Sequence, residues 1–202
     1  MPAHPRLSLT DFVDVVHASG TPKATIVKTV KQRPDYQPAF DFYKQIRDGI
    51  AKAHRSGKTR KEFNALPRFS SDPKKLQNYT ELRKAYFKWW GKKTFTWFSP
   101  PRASYHYSTL EIFINPELGL EWGGARHLLK LYFKEAKLTK PRATLILDLM
   151  ESTLRTKCTP QTELCLLDIR TSKLFVRPPG PPATIPLVNA EIAYIEALWP
   201  YM

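Results

Sequence analysis

"YFKWWGKKTFTWF", residues 86–98, places seven aromatic rings and three lysines in thirteen positions. Its reading decides whether the middle of the chain is a binding surface or a core. Up to Gly91 the pattern has helical period. At 100° per residue from Pro73, Leu76, Tyr79, Leu82, Tyr86, Phe87, Trp89 and Trp90 fall within an arc of about 160°, while Lys74, Lys84 and Lys88 fall on the other side. Rings and lysines that alternate in sequence are thus segregated in space, and the stripe of rings is predicted to be core. Trp89, at the edge of the arc, is the one ring left as a stacking candidate. Arg83 lies inside the arc and must snorkel or find a partner. After Gly91 the period becomes two: Phe95 and Trp97 share one face, Phe98 the other with Thr94 and Thr96, which predicts a strand covered on both sides.

Outward from this run, the N-terminal side reads as helices. "SLTD" at 8–11 is a capping box ahead of Phe12, Val15 and Val16, with Gly20 as the stop. Thr21 and Pro22 open "KATIVKTVKQR", which Pro34 ends. Pro38 opens a third helix with Ile46, Ile50 and Ala53 inward, closed by Gly57; "TRKE" at 59–62 caps a short helix ended by Pro67. Asp72 and Pro73 start the long aromatic helix, and Gly91 is its C-cap.

The C-terminal side reads as strands over 94–98, 104–114 and 125–134, with turns at "SPPR" and "WGG". Thr139 and Pro141 begin a helix that buries Leu145, Ile146, Leu149, Met150 and Leu154, with Asp148 and Glu151 on its exposed edge. "ELCLLDI" and "KLFVR" form a hairpin across "RTS", the proline-rich 177–186 is an extended connector, and Asn189 caps a last helix. His106 and His127 are half-buried residues of neighbouring strands. The fold class expected is α+β: a basic, mostly helical region, 1–91, packed on an antiparallel sheet of about five strands with two further helices, 92–202, as one unit.

The chain carries a formal charge of +14, which favours a polyanionic partner. Up to Arg102 there are 21 Lys and Arg against 8 Asp and Glu; from Ala103 onward the two are nearly equal, at 11 and 10. Such asymmetry points to a nucleic-acid- or membrane-binding part joined to a neutral one. Two cysteines, Cys158 and Cys165, make neither a disulfide framework nor a zinc site. No secretion signal or membrane span is legible, and the expected location is the cytoplasm.

"DVVHASGTPKATIVKTV" at 14–30 resembles the DNA-binding helix-turn-helix of the lac-repressor type over some 20 residues. The resemblance implies Gly20 in the turn, Thr25 and Ile26 opening the recognition helix, Val30 buried, and Thr21, Lys23, Thr25 and Lys28 facing base edges. Val16 departs from it, since that position takes Ala where the helices cross. The resemblance makes DNA the preferred nucleic acid. Phosphate contacts are expected from Lys58, Arg60, Lys61, Lys74, Lys84, Lys88, Lys92 and Lys93, within a segment 44–93 that holds fifteen Lys or Arg and four acids. "GKT" at 57–59 lacks the first glycine of a P-loop, because position 52 is Lys52.

An alternative is a metal-dependent nuclease. Glu121 with the E-x-K of Glu135 and Lys137 has the residue types that hold Mg²⁺ and polarise water. Another is a protein-interaction or inhibitor module offering its basic face to an acidic protein. No other cofactor is implied, and no glycine-rich dinucleotide loop or G-x-S-x-G elbow occurs.

Overall fold

The computed structural model describes residues 5–34, 41–64, 73–136 and 138–202, the side chains of Pro73 and Lys74 excepted. The expected helix start at Pro38, the stop at Pro67, the cap at Asp72, and the side chains of Lys74 and Lys137 lie outside the described residues. In chain order the elements are β1 (Arg6–Ser8), α1 (Leu9–His17), α2 (Gly20–Lys31), α3 (Lys44–Arg55), α4 (Arg60–Asn64), α5 (Pro73–Trp90), β2 (Thr96–Phe98), β3 (Ala103–Tyr107), β4 (Leu110–Ile114), β5 (Leu118–Trp122), β6 (Ala125–Tyr132), α6 (Lys140–Leu154), β7 (Glu163–Asp168), β8 (Lys173–Val176) and α7 (Ile185–Leu198). The class is α+β.

The aromatic run is the seam between a helical layer and a sheet. Tyr79, Leu82, Tyr86, Trp89 and Trp90 of α5 are buried with Ile46, Ile50 and Ala53 of α3 and Phe63 of α4 against one face of the five-stranded sheet. Trp89 is only 6% exposed, which removes it as a stacking platform. Arg83 does find partners: its Nη2 donates to the carbonyls of Phe63 and Asn64, and its guanidinium lies 5.5 Å over the Phe63 ring. Beyond Gly91 the alternation holds, for Phe95 and Trp97 join this core while Phe98 packs into the one behind the sheet.

That sheet has the order β2-β5-β6-β7-β8. It is mixed and not wholly antiparallel: β6 and β7 run parallel, Leu129 opposite Cys165, while the other neighbours are antiparallel. The cause is α6, a crossover that returns the chain to the end of the sheet where β6 began. Leu118, Leu120, Leu129, Leu131, Cys165 and Leu167 face α3 and α5. Leu128, Leu164 and Leu166 face the opposite way, toward α1, α2, α6 and α7. A second, three-stranded sheet, β1-β4-β3, closes this far core; residues 104–114 are two strands joined through Ser108, at φ +52°, and not one. Neither β1 nor β5 was expected.

Local capping accounts for several boundaries. Ser8 accepts from the Asp11 N–H at 3.1 Å, and Thr59 and Glu62 exchange the reciprocal bonds of a capping box, at 2.7 and 3.3 Å. Thr139 caps α6 as expected. Gly20, in contrast, opens α2 after Ser19 and does not close α1. The last helix starts at Ile185 and not after Asn189, because Pro186 presets its first turn and the Asp148 carboxylate accepts both the Thr184 N–H and hydroxyl at 2.9 Å.

Asp148 and Glu151 are therefore not on an exposed edge. Both face the guanidinium of Arg177, at 3.6 and 3.7 Å, and Arg155 forks onto Glu151 at 2.9 and 3.0 Å. The proline-rich connector is tied to the same place, since Arg177 also donates to the carbonyls of Pro178 and Gly180. His106 and His127 sit in different sheets: His106 is exposed, whereas His127 is buried, stacked on Trp122 and 3.2 Å from Glu163. No helix among the described residues is long and apolar enough to cross a membrane.

Candidate functional site

α3 and α5 pack side by side and end at the same side of the molecule. Each is stopped by a glycine that takes the left-handed backbone, Gly57 at φ +63° and Gly91 at φ +57°, a conformation open to glycine at little cost. Each glycine is followed closely by basic residues: Lys58 and Arg60, with Thr59 between them, after the first, and Lys92 and Lys93, with Thr94 next, after the second. Because the two turns are neighbours, they enclose a cleft of about 280 Å³ lined by His54, Lys58, Arg60, Trp90, Lys92, Lys93 and Phe95 with the intervening turn residues. Among the described residues four cations and no carboxylate line it, while the Glu62 carboxylate accepts from the Thr59 N–H and hydroxyl at its rim.

The four cations are not equivalent. Arg60 Nη1 donates to the Gly91 carbonyl at 3.3 Å, and Lys93 Nζ to the Trp89 carbonyl at 2.5 Å. Both neutralise the carbonyl end of α5, where the helix dipole leaves partial negative charge. Burial lowers the Lys93 ammonium. Lys58 is half-buried and Lys92 exposed, and Lys58 lies close enough to the Glu62 carboxylate for its charge to help lower that group. Lys58 and Lys92 are the two cleft cations that cap no backbone carbonyl of α5 among the described residues. Lys61 is exposed next to Arg60, so the positive surface continues along α4.

The floor of the cleft is a ring cluster. His54 stacks on Trp90 at 4.5 Å, meets Phe95 edge-on, and shares a 2.6 Å hydrogen bond with the Tyr86 hydroxyl. Burial pulls its imidazole down to about 4 and pushes the Tyr86 phenol well up. His54 is thus neutral near pH 7 and adds no charge to the cleft. Neither His54 nor Trp90 was singled out from sequence as a site residue. The legible signal was the repeated pattern of a helix end, a glycine and a lysine, at 54–58 and again at 90–92.

The other expected contacts are dispersed. Lys84 and Lys88 flank a groove between α5 and the β7–β8 turn, with Lys84 in an exposed pair with Glu81 at 3.1 Å, a pair of little energetic weight. Thr21, Thr25 and Lys28 are exposed on α2, which belongs to the core on the opposite side of the sheet. Lys23 is corrected: it is held in a 2.5 Å ion pair with Glu191 of α7, both side chains some 14% exposed or less, and lies over the Tyr194 ring, so it faces the protein and not a base edge. Val30 packs against the core as the resemblance implied.

The carboxylates of the nuclease alternative are not brought together. Glu121 stands opposite Arg126 at the start of β6 and pairs with it at 3.4 Å. Glu135 follows the other end of β6, 81% exposed and 3.7 Å from Arg170. At about 3.3 Å per residue the strand keeps them roughly 20 Å or more apart. Among the described residues no group of three or more His, Cys, Asp or Glu is placed to hold a metal ion.

Comparison with protein-family models, with curated proteins and with solved structures finds no match for this chain. What the fold and site define is a class only: an α+β protein with a cation-lined cleft at the paired ends of two helices.

Proposed function

We propose that the protein binds nucleic acid through its phosphates, with the cleft between the α3–α4 turn and the end of α5 as the main contact, and DNA as the first partner to test. One observation carries this: two turns 34 residues apart in sequence bring Lys58, Arg60, Lys92 and Lys93 to one concave surface, with four cations against the single carboxylate of Glu62 at its rim among the described residues. Phosphodiester anions are the common ligand for such a surface. The exposed start of α2 lies across the sheet from the cleft. Because α2 belongs to the other core, helix-turn-helix reading of bases is not part of the proposal.

A salt titration tests it. Four phosphate contacts give a slope of log Kobs against log[salt] of about −3.6 on duplex DNA. Lys58→Ala with Lys92→Ala removes the two cations that cap no α5 carbonyl among the described residues, and the slope should fall to about −1.8. Lys84→Glu with Lys88→Glu is the comparison; a larger loss there than in the cleft pair moves the interface to the α5 groove. Absence of binding to any nucleic acid at low salt, with the protein folded, overturns the proposal and leaves an acidic protein as the partner to seek.

A further inference from the structure

We infer that the ligand of the cleft is double-stranded and is held by its backbone alone, without base stacking or base reading. This rests on the nucleic-acid reading above and narrows it. Proteins that hold single strands add stacking rings to a basic groove. Here the rings around the cleft are already engaged. Trp90 is 4% exposed, stacked on His54, and its indole N–H donates to the Lys93 carbonyl at 2.9 Å. Phe95 stacks on Trp89 with rings 12° from parallel. Phe87 carries the guanidiniums of Arg60 and Arg83 at 5.5 and 5.6 Å, and Trp97 carries that of Arg55 at 5.5 Å. Trp90 and Phe95, the rings that line the cleft beside His54, are packed against other rings, so stacking a base on either means breaking a ring contact.

The groups that read base edges are equally scarce. Among the described residues no Asn or Gln lines the cleft. The Thr59 hydroxyl is committed to Glu62 at 2.6 Å, and His54 Nε2 to Tyr86. Arg60 is held by the Gly91 carbonyl, and the lysines offer ammonium point charges without the planar fork of a guanidinium. What remains outward is ammonium charge at Lys58 and Lys92, fixed on two helix ends. Such charge favours the polymer with the denser array of phosphates, and a duplex carries one charge per about 1.7 Å of axis against about 3.4 Å for each strand.

The test is fluorescence anisotropy of the full chain at one low salt concentration. The probes are an A·T-rich duplex, a G·C-rich duplex, a duplex RNA, and the separate strands of the first. The expected result is that the DNA duplexes bind within about threefold of each other and at least about tenfold tighter than the single strands, with tryptophan fluorescence unchanged on binding. Duplex RNA bound as tightly leaves the inference standing and makes it backbone recognition of either duplex. Single strands bound as tightly as the duplex, tryptophan quenching on binding, or a tenfold difference between the DNA duplexes overturns the inference while nucleic-acid binding stands. No binding to any probe overturns the parent proposal as well. Lys58→Ala with Lys92→Ala must weaken both DNA duplexes alike; a loss confined to one sequence also overturns it.

Discussion

His54 makes the strongest demand on the fold that solution measurement can check. Its ordinary value is 6.5, and burial under the cleft holds it at about 4. As pH falls below 6.5 the unfolded chain takes up a proton at this residue and the folded one does not, so stability is lost between 6.5 and 4. The full cost once both states are protonated is about 3 kcal/mol, of which about 2 kcal/mol is incurred between pH 7 and pH 5. With a urea dependence of about 2 kcal/mol per molar, the unfolding midpoint should drop by about 1 M over that interval. His54→Gln retains a partner for the Tyr86 hydroxyl but cannot titrate, so most of the drop should vanish in it. A residual decrease is expected from His127, whose imidazole burial also lowers. Two results refute the reasoning: a His54 ring proton that titrates near 6.5 by NMR in the folded protein, or the same pH dependence in wild type and His54→Gln.

The proline-rich connector should depend on Arg177. Arg177→Ala removes the cation shared by Asp148 and Glu151 and should cost about 1–3 kcal/mol in chemical denaturation, the loss being limited by Arg155 on Glu151 and Thr184 on Asp148. Arg177→Met with Asp148→Leu should recover part of that, and a single variant as stable as wild type would show the pair to be idle. Gly119 is a test of register: a Cβ there would lie 2.4 Å from the Phe98 carbonyl oxygen and 2.8 Å from its ring. Gly119→Ala should therefore force β2 away from β5 at a cost of about 1–3 kcal/mol or more, seen as a lowered unfolding midpoint. A neutral effect means that β2 does not sit on β5 as described.

The helical half was legible where the signals are local. The capping boxes at 8–11 and 59–62 and the Thr139 cap are contacts three residues apart, and the aromatic arc of 76–90 follows from helix period alone. The same holds for Phe95, Trp97 and Phe98, whose alternation sends them to opposite cores. Less was legible where a boundary depends on distant groups. The start of α7 depends on Asp148, 36 residues away, which is why Asn189 was an attractive but misplaced cap. The crossover that makes the sheet mixed cannot be read from the strands, since parallel and antiparallel neighbours have the same period of two.

For the candidate site, the sequence by itself determined which residues carry charge, which rings are core, and that glycine ends both α3 and α5. Tertiary structure alone decided what each charge does. Lys23 is spent on Glu191, 168 residues away; Glu121 and Glu135 are parted by the length of β6; Lys58 and Lys92 meet at one cleft because α3 and α5 pack in parallel layers on a single sheet face. Periodicity and capping act over three or four residues, within one element. The partner of a charged side chain is set by the packing of elements far apart in the chain, and that is where lysines equal in sequence became structural caps in some places and outward surface charges in others.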